Sequence, residues 1–152
     1  MNSATIKNTV LLILSVTGSF LVDFTGGMDT VLKALLVFMA VDYLTGITVA
    51  FIFHKSKKTI GGRASSREGF KGIIKKLCML LLVGLAHELD SIMKVDCIRS
   101  TTVMFFLVNE GLSVLENMGL MGIKYPAFFV KALEVLREKS ETEESGGMKN
   151  GI

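Results

Sequence analysis

The apolar positions of this chain fall into long, nearly unbroken runs rather than into short periodic stripes. Residues 30–53 (TVLKALLVFMAVDYLTGITVAFIF) are the most continuous of them. As a helix this run would measure about 36 Å, enough for a hydrocarbon core of about 30 Å. Residues 77–93 and 100–118 are two further candidate spans. Residues 8–24 form a marginal one, which leaves open whether that segment crosses or lies in the interface. The expected fold is therefore an all-α integral membrane protein with three to four transmembrane helices. Residues 1–122 make up its membrane domain. Glycines 119 and 122 break the last run, and Pro126 suits the first turn of a new helix. Within residues 123–139, Phe129, Leu133 and Leu136 share a face opposite Lys131, Glu134 and Glu138, which predicts an amphipathic helix. Residues 140–152, with Glu141, Glu143 and Glu144, read as a disordered tail.

Polar residues inside the apolar runs carry the next layer of information. A charge at the centre of a bilayer costs on the order of 2.5–3.5 kcal/mol, so it must face a partner helix or water. Asp42 is the carboxylate of the 30–53 run, and Thr45, Gly46, Val49 and Ala50 lie on its helical stripe. Small and polar groups on one stripe allow close approach of another helix. The 77–93 run carries Glu88 and Asp90 near its far end. In the 100–118 run, Asn109, Glu110, Ser113, Glu116 and Asn117 cluster on one side. All ten of these positions other than the aliphatic ones (Asp42, Thr45, Gly46, Glu88, Asp90, Asn109, Glu110, Ser113, Glu116, Asn117) are candidate helix-contact residues.

Charge sets the orientation. Residues 54–76 carry Lys55, Lys57, Lys58, Arg63, Arg67, Lys71, Lys75 and Lys76 against a single acid, Glu68. By the positive-inside rule this loop is cytoplasmic. Its second half interleaves Phe70, Ile73 and Ile74 with lysines, as in a short amphipathic helix that enters the membrane and meets anionic headgroups. An even number of spans, with both termini cytoplasmic, satisfies every loop. The chain is 50% hydrophobic with a mean hydropathy of +0.53, too apolar for an ordinary soluble domain. No small-x-small cleavage site precedes the second run, so a cleaved leader is not expected.

Little in the chain points to catalysis. His87-Glu88 lacks the second histidine of a zinc-protease helix, and Gly61-Gly62 lacks the lysine spacing of a phosphate loop. Cys78 and Cys97 stand apart, with no metal-ligand spacing. The basic loop has no aromatic interleaving of the kind that reads nucleic acid. No metal, cofactor, nucleic-acid partner or enzymatic activity is expected.

Several ordered features together resemble one family. These are Asp42-Tyr43-Leu44-Thr45-Gly46, the segment 65–76 (SSREGFKGIIKK), Asp90, the segment 109–119 (NEGLSVLENMG), and Gly122 with Pro126. Over roughly residues 26–136 the chain resembles the toxin-secretion/phage-lysis holins of phages of Gram-positive bacteria. The resemblance implies a multi-pass protein of the host cytoplasmic membrane that oligomerises with itself and opens lesions. Through these a cell-wall-degrading endolysin, or in toxin loci a toxin, is released. The polar stripes would then lie at helix contacts or on a water-filled lumen. Two other classes are set against it. A cation- or proton-coupled channel would use Asp42, Glu88 and Glu110 as relay carboxylates, and a membrane anchor would recruit partners through its tail or basic loop.

Overall fold

The computed structural model describes residues 2–57 and 61–147. Among them the chain is helical throughout, without a strand. α1 is Ser3–Phe24 and α2 is Thr30–Thr48, extended by a π-helical turn over Val49–Phe53. α3 is Ser66–Met93, α4 is Ile98–Met121 and α5 is Ala127–Gly147. Among the described residues, three helical stretches are long and apolar enough to cross a membrane: Ala4–Phe24, Thr30–Phe53 and Ile98–Met121. The expected 77–93 run is not one of them, because Lys75, Lys76, Glu88 and Asp90 make α3 more polar around it. The first of the three starts earlier than the 8–24 run, because Ala4, Thr5 and Ile6 continue the helix across Lys7.

The junctions follow local chemistry. Gly26, at φ +83°, turns the chain out of α1, and Asp29 then caps α2 by accepting a hydrogen bond from the Leu32 amide at 2.7 Å. Gly122, at φ +79°, closes α4. α5 runs on to Gly147, past the expected end at 139. Glu141, Glu143 and Glu144 are good helix formers, and the Thr142 hydroxyl bonds back to the Glu138 carbonyl, so the first part of the expected tail is helical. Residues 148–152 lie outside the described residues.

α2, α3 and α4 pack along seams with alternating three- and four-residue steps. On α2 the seam is Leu32, Leu35, Met39, Asp42, Gly46 and Val49. On α3 it is Gly69, Gly72, Lys76, Met79, Val83, Ala86 and Asp90, and on α4 it is Val103, Leu107, Glu110, Val114 and Asn117. This repeat keeps one face of each helix turned to its neighbours, as in coiled-coil-like bundles. Leu32, Leu35, Met39, Met79, Val83, Val103 and Leu107 form the buried apolar core. α4 is central and packs on α2, α3 and α5. The apolar side chains of Val10, Leu11, Leu12, Ile13, Val16 and Phe20 on α1 point outward. That exposed surface matches a lipid environment rather than water.

α1 meets the bundle at its C-terminal end, where the Phe24 ring lies on Gly84 of α3. A β-carbon at Gly84 would fall 1.9 Å from Phe24 Cε1, so no larger residue fits without moving the ring. Gly84→Val is expected to displace Phe24 and cost about 1–3 kcal/mol through overpacking. Unfolding titrations of Gly84→Val, of Phe24→Ala and of both together check this, and a cost of Gly84→Val that is unchanged when Phe24 is already absent would refute it.

A polar layer between three helices as the candidate functional site

One step of each seam is polar, and the three polar steps coincide. Lys76 of α3 donates to Asp42 Oδ2 of α2 at 2.8 Å and also to Glu110 Oε2 of α4. The three side chains are largely enclosed, at 16%, 10% and 4% exposure respectively. The other Asp42 oxygen accepts from Asn117 Nδ2 at 3.1 Å, and the same amide reaches Thr45 Oγ1 at 3.1 Å. The Thr45 hydroxyl donates to the Val41 carbonyl at 2.9 Å. Gly46 lies against this amide: a β-carbon there would stand 3.7 Å from Asn117 Nδ2, an ordinary contact. Gly72 gives α3 close access to the Tyr43 ring beside Asp42, where a β-carbon would lie 3.6 Å from Tyr43 Cε2.

The layer sits at mid-span. Asp42 and Glu110 are each the thirteenth residue of a 24-residue apolar helix, Thr30–Phe53 and Ile98–Met121. Two carboxylates in such surroundings require a shared cation, and Lys76 supplies it. Charge-assisted bonds of this kind are about twice as strong as neutral ones, and the geometry fixes the relative register of the three helices. A cavity of about 350 Å³ opens beside the layer, lined by Tyr43, Ser56, Ser65, Asn109 and Ser113 among others. At its edge Lys57 pairs with Glu116, both well exposed. An exposed pair like this contributes little, about 0–1 kcal/mol.

The structure thus gathers Asp42, Thr45, Gly46, Glu110 and Asn117 into one cluster, with Asn109, Ser113 and Glu116 around the adjoining cavity. Glu88 lies elsewhere, exposed on α3. Asp90 stands at the opposite end of the bundle, where its two oxygens accept from the Ile98 and Arg99 amides, both at 2.9 Å, and start α4. Among the basic residues, Lys55, Arg63, Arg67, Lys71 and Lys75 are exposed, and Lys71 pairs with Glu68 at 2.6 Å. Lys58 lies outside the described residues. Lys76, grouped with the loop by its position in the chain, turns inward instead. The spacing Gly69, Gly72, Lys76 is the signal that marks it, because two small residues and a lysine on one stripe describe a contact face rather than a solvated one.

Arg99 holds the far end together. Its guanidinium donates to the Thr25 carbonyl at 2.5 Å, to Asp29 Oδ2 at 2.6 Å and to the Gly27 carbonyl at 3.2 Å, tying the α1–α2 turn to α4. Burial raises the Asp29 carboxyl, but the Arg99 hydrogen bond and charge, with the Leu32 and Val31 amides, outweigh it and hold the group below its ordinary value. By its place in the chain Arg99 reads only as a loop charge.

Comparison with known proteins places this architecture among phage and bacterial relatives. The bacteriophage holin family matches residues 19–138. The chain is 35% identical over 120 residues to the uncharacterized protein Lin0175 of Listeria innocua, covering 78% of this chain and 80% of the relative. It is 31% identical over 111 residues to a probable holin of Bacillus phage phi105, covering 72% of this chain and 76% of that protein. A further relative in Clostridium perfringens, uncharacterized protein CPE0383, is 34% identical over 117 residues, covering 76% of this chain and 81% of the relative. No solved structure matches significantly.

Proposed function

Because the chain belongs to the bacteriophage holin family, we propose that it accumulates in a bacterial cytoplasmic membrane, assembles with copies of itself, and opens lesions at a set time. An endolysin, or in a toxin locus a toxin, is the cargo these lesions release, and host lysis follows. The chain acts without catalysis. Its basic loop and, in the assembly, its C-terminus lie on the cytoplasmic side, and Lys55, Arg63 and Arg67 meet anionic headgroups there, whereas Lys75, next to Lys76 on α3, lies too deep to join them.

The observation that carries this reading is the mid-span polar layer. Asp42, Lys76, Glu110 and Asn117 are satisfied inside a single chain while α1 and the outer face of α2 present apolar side chains. A subunit of that kind keeps the charges of its α2–α3–α4 interior out of lipid as it builds up. When helices separate or rearrange in an assembly, the same groups become a polar lining that water can wet.

A second reading rests on the same cluster. Two carboxylates share one lysine next to a cavity, as in a small cation or proton channel. Glu88, placed away from the layer, does not serve as a relay in that reading.

Induced expression with and without a cytosolic endolysin separates the two. Sudden depolarisation after a delay, with lysis only when endolysin is present, is the expected result. A graded ion leak from the start of induction, with endolysin retained, would move the assignment to the channel. An undisturbed potential despite membrane insertion would refute both and leave an anchor.

A further inference from the structure

α4 carries a second seam. Val108, Gly111 and Leu115 repeat at three- and four-residue steps on the side away from Lys76, and all three are buried. α5 covers this side: a β-carbon at Gly111 would lie 2.7 Å from Leu133 Cδ2 and 3.1 Å from Phe38 Cε1. A glycine flanked by Val and Leu in the middle of a span is the surface at which membrane helices approach closely.

The helix that covers it is unsuited to that depth. Gly111 is the fourteenth residue of the 24-residue apolar helix Ile98–Met121. The turn at Gly122 sends α5 back along α4, so Leu133 stands at mid-span while Lys131, Glu134 and Glu138 are exposed on the outer side of α5. Lipid tails cannot face those charges at low cost. α5 therefore keeps its place only where water reaches its outer side. Once lipid surrounds α4, the seam needs an apolar occupant of spanning length. Among the described residues none is available, because α2 is engaged on the other seam and reaches this one only through Phe38, α3 is engaged on the other seam, and α1 is held at Gly84 of α3.

We infer that the Val108–Gly111–Leu115 seam is a subunit contact, that its occupant in the assembly is a spanning helix of a second copy, and that α5 is the intramolecular cover exchanged for it. The inference rests on the self-assembly proposed above and names the surface through which it occurs. Release of α5 also returns the C-terminus to the cytoplasmic side. There its apolar stripe, with Phe128 and Phe129 exposed at its start, lies in the interface. A cover in place about nine-tenths of the time lowers the apparent affinity between copies about tenfold.

The test uses the full chain with Cys78→Ser and Cys97→Ser, expressed in bacterial membranes. Multimers are captured with a lysine-reactive crosslinker at increasing protein levels. Leu133→Asp uncovers the seam and is expected to lower the protein level at which multimers appear about tenfold. Gly111→Leu also displaces α5 but fills the seam, and is expected to lose multimers. Gly111→Cys with Leu133→Cys, joined by a short bis-thiosulfonate, locks the cover. Locked chains should lose multimers and regain them on reduction, which shows that the fold survived the lock. An unchanged threshold for Leu133→Asp, or wild-type assembly by the locked chain, would overturn the inference while wild-type multimers leave self-assembly standing. Equal gains from Leu133→Asp and Gly111→Leu would overturn the seam as the contact. Absence of multimers in the wild type would sink self-assembly and this inference with it.

Discussion

Lys76→Met is expected to destabilise the folded chain by about 3–5 kcal/mol, the largest effect of any single substitution considered. The variant leaves Asp42 and Glu110 side by side in the middle of the bundle without the ammonium they share. Removing one member of a buried ionic group costs that much because the remaining charges stay desolvated and unpaired. Replacing the whole group behaves differently. Asp42→Leu, Lys76→Met and Glu110→Leu together remove the charges as well as the bonds, and most of the lost stability should return. Asn117 then keeps Thr45 as its acceptor. Unfolding titrations of the detergent-solubilised chain measure both variants. A Lys76→Met chain as stable as the wild type would mean that the lysine does not stand between the two carboxylates.

Arg99→Met is the second large effect, at about 1.5–3 kcal/mol. The guanidinium is the donor to two carbonyls of the α1–α2 turn and to Asp29, and Thr25 is buried, so its carbonyl would lose this donor where water is scarce. The Asp29 part of this clamp depends on pH. Its folded carboxyl titrates below the ordinary 3.8, so the contribution is present above that value and is lost as pH falls through the folded pKa. The gap in stability between wild type and Arg99→Met should therefore narrow on acidification below about pH 4. Asp29→Asn should remove that pH dependence while leaving the Thr25 and Gly27 bonds. A gap that stays constant down to about pH 2 would exclude the Asp29–Arg99 pair as its source.

Individual residues show how far the linear chain could be read. Asp42 and Glu110 were recognisable because each interrupts an apolar run, and a charge there must find a partner whatever the fold. Asn117, Thr45 and Gly46 followed from helical spacing to those two. Lys76 was harder to see. It is the last basic residue before an apolar run, so it resembles the solvated residues that precede it, and its role depends on how far α3 slides along α2. Asp90 resembled another intramembrane acid, yet at the end of α3 it meets the first amides of α4, which only the turn between these helices brings within reach. Arg99 was hidden for the same reason, since its acceptors lie about seventy residues earlier.

Run length and composition by themselves determined that this is an all-α membrane protein with an apolar helix over residues 30–53, and that Asp42 and Glu110 need a partner. Those properties depend on the transfer of each segment from water to lipid, which adds up residue by residue along the chain. Which side chains meet across the bundle was decided only by tertiary structure. Periodicity gives the angle of a residue around its helix axis but not the axial register between helices, and one step along a seam would replace Lys76 by Gly72 or Met79 opposite Asp42. The ion group, the Arg99 clamp and the seam covered by α5 all depend on that register.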